Sequence, residues 1–229
     1  MSEFTALEER LGVHFTKTEY LHQALVHRSY VNEHPSFRLG HNERLEFLGD
    51  AVLELAVTEH LYTKYENPEG DLTNWRAALV NAKSLGSIAE ELEVHQFIFL
   101  SRGEAKDANA KARHSILANA FEAIVGAIYL DQGFEVAKDF IGRTVLPKLP
   151  YIIEHKLYLD PKSRLQEASQ EKLGVTPAYK VLEEWGPDHN KHFRVAVYFG
   201  DEEVATGEGA SKQEAQVSAA EAGILARGW

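Results

Sequence analysis

The chain has 229 residues, 44% of them hydrophobic, and a formal net charge of −11, so it is long enough for one large core or for a main domain and a small second one. It contains no cysteine, which excludes disulfides, thiolate zinc sites and thiol nucleophiles and fits a reducing cytoplasm. The acidic balance, taken alone, argues against nucleic acid as a partner, because phosphate binding usually shows as a basic patch. The opening residues MSEFTALEERLG carry acids where a secretory signal would carry a basic and then an apolar run. No stretch approaches the roughly 18 apolar residues of a membrane span, so a soluble, cytoplasmic protein with no membrane partner is expected.

Apolar spacing predicts short helices over residues 4–12 and 18–29, with Thr18 as a possible cap of the second. The polar stretch 32–40, with Pro35, reads as a loop. The segment 41–62, HNERLEFLGDAVLELAVTEHLY, is the one the chain is organised around, with His41 or Asn42 as candidate caps and an end near Lys64. At 100° per residue, Glu43, Glu46, Asp50 and Glu54 fall in one arc, while the other directions are apolar, so the helix is expected to be buried on most sides. Carboxylates about 5 Å apart repel by roughly 3 kcal/mol at an effective dielectric near 20. Such a stripe needs solvent or a cation: from periodicity it is either a solvated acidic face or the wall of a metal site.

Further helices are expected over 71–82 and 84–92, and the polar segment 102–113 reads as a mobile loop whose cations either reach phosphate or are solvated. Residues 115–131, SILANAFEAIVGAIYLD, form a second apolar helix carrying polar groups, Asn119 and Glu122. A helix over 135–145 ends at Pro147 and Pro150. From residue 160 the pattern changes to a helix (161–173), strands over 178–184, 192–199 and 203–207, and a closing Ala-rich helix. The all-helical pattern ends near residue 153, which sets a domain over 1–153, a linker over 154–160 and a second domain over 161–229.

The run NERLEFLGD at 42–50 resembles the signature helix of ribonuclease III, with the family's HRSY element at 27–30 and its second active-site helix at 117–131. The α-β-β-β-α tail is similar to a double-stranded-RNA-binding domain, through GPDH at 186–189 and GEGASK at 207–212. The fold this implies is an all-α ribonuclease III endonuclease domain followed by an α-β-β-β-α double-stranded-RNA-binding domain. The activity it implies is a Mg²⁺-dependent endoribonuclease, with Mn²⁺ able to substitute. It would cut double-stranded RNA as a homodimer into 5′-phosphate and 3′-hydroxyl products with short 3′ overhangs, in rRNA and mRNA processing.

Carried over by motif position, Asp50 and Glu122 are the catalytic acids. Glu46, Asp50, Asn119 and Glu122 hold the metal, Glu43 and Glu69 shape its surroundings or serve a second ion, and Phe47 packs across the dimer interface. Glu54 matches no functional position and reads as a solvated acid. Gln166, Gln170, His189 and Lys212 match the RNA contacts. Asn119 stands where the family has Asp. Its amide oxygen coordinates Mg²⁺ without a formal charge, so the alternative is a catalytically weakened or inactive RNA-binding protein. Gln213 and Gln216 stand where Lys or Arg is common, which predicts a shallow salt dependence of RNA binding. Duplex RNA is read largely by shape, so few cations can suffice.

Overall fold

Helical spacing governs the first part of the chain, and strand alternation enters only after residue 177, so the two parts fold by different rules. The computed structural model describes residues 4–106, 109–187 and 190–229. The chain divides into two compact units between His155 and Lys156.

The first unit is helical: α1 Thr5–Leu11, α2 Thr18–Ala24, α3 Arg28–Glu33, α4 Glu43–Lys64, α5 Glu69–Leu79, α6 Ala82–Glu91, α7 Arg102–Lys106, α8 Ala110–Gln132, α9 Phe134–Thr144 and α10 Leu149–Glu154. Single 3-10 turns lie at Val94–Gln96 and Leu146–Lys148. At its centre α4 lies against α8, with Leu53, Phe121, Ile124 and Phe140 fully buried. Burial of such side chains stabilises by roughly 1.5–3 kcal/mol each before the entropy cost of ordering them.

Several elements depart from the bounds expected from spacing. The helix expected over 18–29 stops at Ala24, because Val26 forms a parallel bridge with Phe99. The backbone N–H of His27 donates to the Phe99 carbonyl and that of Phe99 to the Leu25 carbonyl. His27 then caps α3 by accepting from the Ser29 N–H, which makes a helix of residues expected to be helix end and loop. Thr18 caps nothing. The Asp131 carboxylate accepts from the N–H groups of Thr16 and Lys17 at 2.8 and 2.9 Å, so the start of α2 is tied down from the far end of α8.

Asn42 precedes α4 but does not cap it with its side chain, which donates instead to the Ala24 carbonyl at 3.2 Å. The loop expected over 102–113 contains α7 and the first turn of α8, because Ser101 and Asn109 accept from the N–H groups of Glu104 and Ala112. Pro150 opens α10 rather than ending a helix, since an N-terminal position has no intrahelical donor to lose.

The burial expected around α4 is the largest correction. Phe47 is 82% exposed, Tyr62 78% and Leu55 57%, and Ala51 is exposed as well, so one apolar stripe of this helix faces out of the unit.

The second unit comprises α11 Pro161–Leu173, a three-stranded antiparallel meander β1 Ala178–Trp185, β2 His192–Phe199 and β3 Glu202–Gly209, and α12 Lys212–Arg227. Alternation on β2 sends Phe193, Val195, Val197 and Phe199 into a core with Leu165 and the small face of α12, Ala215, Ala219 and Ala220. Asp160 and Ser211 cap the two helices by accepting from first-turn N–H groups. A Cβ on Gly207 would lie 2.1 Å from the Ala219 nitrogen, so this glycine is what lets α12 lie directly on β3.

Candidate active site and RNA-binding face

Two glycines set the geometry. A Cβ on Gly49 would stand 1.8 Å from the Glu122 carbonyl oxygen, and one on Gly126 would stand 2.3 Å from the Leu45 carbonyl oxygen. Backbone therefore meets backbone where α4 crosses α8, a spacing that any side chain would prevent. Glu46 and Asp50 flank Gly49 in the chain, and Glu122 lies at the contact, so acids from two helices meet at one crossing.

The electrostatics record that meeting. Burial pushes the Glu122 carboxyl up to about 7, with Asp50 and Glu46 adding to the rise. Burial, then Glu43 and Asp50, raise Glu46 as well. Among the described residues none of Glu46, Asp50 and Glu122 forms an ion pair or hydrogen bond through its side chain. Three acids without a counter-ion are arranged to welcome a hard cation, and a dication beside them would restore their ionisation. As the side chains stand, no three His, Asp or Glu groups among the described residues form a closed ligand set. Asn119 is half-buried one turn before Glu122 on α8, and its amide has no hydrogen-bond partner among the described residues.

The remaining acids part company with this crossing. Glu43 lies 3.5 Å from Arg28 and 3.7 Å from His41 Nδ1, so it ties α4 to the HRSY segment. Glu54 is exposed. Glu69 accepts from Thr73 Oγ1 at 2.9 Å and lines a groove of about 620 Å³ with Tyr62, Tyr65 and Arg76, beyond the C-terminal half of α4. Within one chain the structure does not bring it to Glu46, Asp50 and Glu122. Phe47 stands on the exposed stripe of α4.

In the second unit Gln166 and Gln170 are exposed, one turn apart on α11, and Gln170 donates to Thr176 Oγ1 at 3.3 Å. Lys162 Nζ donates to Gln216 at 2.7 Å, which ties the first turn of α11 to the second turn of α12. Lys212 opens α12 with its ammonium 5.5 Å from the centre of the Phe193 ring. His189 lies outside the described residues.

Sequence reasoning did not single out the crossing glycines, although a glycine inside each apolar helix was a legible sign of close approach. It also missed that each Lys and Arg of the second unit already has a partner. Lys156, Lys191, Arg194 and Arg227 meet carboxylates, Arg164 meets the Trp229 carbonyl, and Lys172, Lys180 and Lys212 stand over aromatic rings.

Residues 17–149 match the family described as Ribonuclease-III-like, and residues 161–226 match the double-stranded RNA binding motif. The chain is 47% identical over 216 residues to Ribonuclease 3 of Oceanobacillus iheyensis, covering 93% of each chain. It is 44% identical over 219 residues to Ribonuclease 3 of Enterococcus faecalis, covering 95% of this chain and 94% of that one. A solved nuclease domain of ribonuclease III from Campylobacter jejuni, described for flexibility in its dimer-forming region, is also similar. It superposes with a TM-score of 0.57 at 42% identity, over 65% of this chain and 99% of that chain.

Proposed function

The chain belongs to the ribonuclease III family of double-stranded-RNA endoribonucleases, and from that membership we propose a divalent-metal-dependent cut made by a homodimer. Residues 1–153 are the nuclease domain in this reading and 161–229 the RNA grip. The observation that carries it is the crossing at Gly49 and Gly126, which gathers Glu46, Asp50 and Glu122 with no paired cation among the described residues.

Glu46, Asp50 and Glu122 would hold Mg²⁺ or Mn²⁺, with the Asn119 amide oxygen as a neutral fourth donor. A dication bound there supplies neutralisation of the scissile phosphate and activation of a water. Asp50, the most exposed of the three acids, would orient that water, and the half-buried Glu122 would anchor the ion from α8. Water adds at phosphorus and the bond to the 3′ oxygen breaks, leaving a 5′-phosphate and a 3′-hydroxyl. Glu43 shapes the surroundings of this centre through Arg28 and His41, whereas Glu69, in its own groove within one chain, would reach such a centre only from a second copy.

The exposed Phe47, Leu55 and Tyr62 supply an apolar stripe on which two copies of α4 can pair, one acidic site for each RNA strand. Staggered cuts then leave short 3′ overhangs. Gln166, Gln170, His189 and Lys212 contact the duplex, precursors of rRNA and mRNA are the substrates, and the compartment is the cytoplasm.

The test is a long RNA duplex incubated with the protein and Mg²⁺, then Mn²⁺. The expected result is short duplex products, with Asn119→Asp lowering the metal concentration needed by about tenfold. Asn119 favours one rival, a duplex-binding protein that has lost cleavage. That rival wins if neither ion supports cleavage by the native chain and Asn119→Asp restores it.

A further inference from the structure

The segment between β1 and β2 leaves the sheet at Trp185 and re-enters at His192, two residues that pair across the strands and stack with ring centres 5.8 Å apart. Just inside that exit, Glu184 Oε1 meets Lys191 Nζ at 2.8 Å. Glu184 pairs across the sheet with Phe193, and Phe193 is the ring over which the Lys212 ammonium stands. One carboxylate thus pairs with the cation that closes the loop and lies across the sheet from the ring that carries the cation opening α12.

We propose that Glu184 is an affinity-setting residue of the RNA grip, a built-in competitor whose carboxylate pairs with Lys191, next to the ring that carries Lys212, and so competes with duplex phosphates for these cations. The inference rests on the reading that the second unit grips duplex RNA. Lys191 holds the Glu184 carboxyl below the usual carboxylate range by hydrogen bonding, with charge from Lys191 and Lys212 assisting, which favours the anion. Phosphate must displace it or share its cations, and either lowers the net gain from binding. The site is exposed, so the competition is a modest one that salt screens. A nuclease that must release its product benefits from such a brake.

The experiment uses the full chain in EDTA with an RNA duplex of about 30 base pairs, long enough for a domain that spans about 16. Glu184→Gln is expected to tighten binding three- to fivefold at about 0.05 M salt, with the gain shrinking at about 0.3 M. Asp201→Asn removes an equal charge from the turn at the opposite end of β2, roughly 25 Å away, and is expected to change affinity little. The double variant Glu184→Gln with Lys191→Gln is expected to lose most of the gain, and thermal unfolding verifies that each variant folds.

Native binding with no gain in Glu184→Gln overturns the inference and leaves the RNA-binding reading standing. An equal gain in Asp201→Asn also overturns it, since any lost anion would then serve. Absence of duplex binding in every variant overturns both.

Discussion

The two units treat charge in opposite ways. At the crossing of α4 and α8, Glu46, Asp50 and Glu122 meet with no cation paired to them among the described residues, and Glu122 is pushed up to about 7. In the second unit each Lys and Arg is already held by a carboxylate, a carbonyl, an amide or a ring, as Arg194 is between Glu183 and Glu208. The first arrangement leaves repulsion that a proton on Glu122 or a cation from outside can relieve. The second leaves little free charge to offer, so recognition there depends on shape and hydrogen bonding. A net charge of −11 is compatible with RNA as a partner where recognition rests on shape and hydrogen bonding rather than on a surplus of cations.

The comparison breaks most severely if the helix crossing is opened. Gly49→Ala puts a methyl 1.8 Å from the Glu122 carbonyl oxygen and 2.8 Å from the Gly126 nitrogen, and backbone cannot step aside as a side chain can. A loss of about 3–5 kcal/mol is expected, read as a lower urea midpoint, with cleavage lost in whatever fraction still folds.

Next in size is the pairing of copies. Phe47→Asp places a charge on the exposed apolar stripe of α4 and is expected to shift sedimentation from dimer to monomer, a weakening of about 2–4 kcal/mol, with the fold of the single chain unchanged.

The acidic crossing also predicts a pH response. The folded Glu122 carboxyl titrates near 7, above its ordinary 4.5, so the folded state holds a proton that the unfolded chain releases. Stability of the metal-free protein should thus fall as pH rises from 4.5 to about 7 and then level off. Allowing for solvent screening at a half-buried site, the change is about 1–2 kcal/mol. Glu122→Gln should flatten the profile in thermal melts, and Mg²⁺ should restore the native protein's stability at pH 8.

The smallest effect belongs to the second unit. With its cations already engaged, the slope of log binding constant against log salt should be shallow, corresponding to about two or three released ions rather than the six to ten of a strongly basic binder. A steep slope in duplex titrations would show that those pairs open on binding, and would remove the contrast between the units.

The acids themselves were plain in the sequence, since Glu46 and Asp50 are one turn apart in NERLEFLGD and Glu122 stands out in an apolar run. Their convergence was not, because it depends on a backbone approach at Gly49 and Gly126 between segments more than 70 residues apart. Periodicity also misread α4, whose apolar residues Phe47, Leu55 and Tyr62 point away from the core. Hydrophobicity states that a surface prefers cover, but not whether its own chain or another supplies it. The start of α3 was missed for a related reason: the bridge from Val26 to Phe99 interrupts a helical pattern with a partner distant in sequence.

By itself the sequence determined the division into a helical part and an α-β-β-β-α part, the family, and the residue types available for metal and RNA, because local periodicity and motif spacing are written along the chain. Only the tertiary structure decided that Glu43 turns to Arg28 and His41 while Glu46 and Asp50 turn to Glu122, and that Glu184 stands among the cations of the RNA grip. Charge interactions and backbone clashes act through space over a few ångströms. Residues far apart in the chain acquire them only when the packed core brings their backbones into contact.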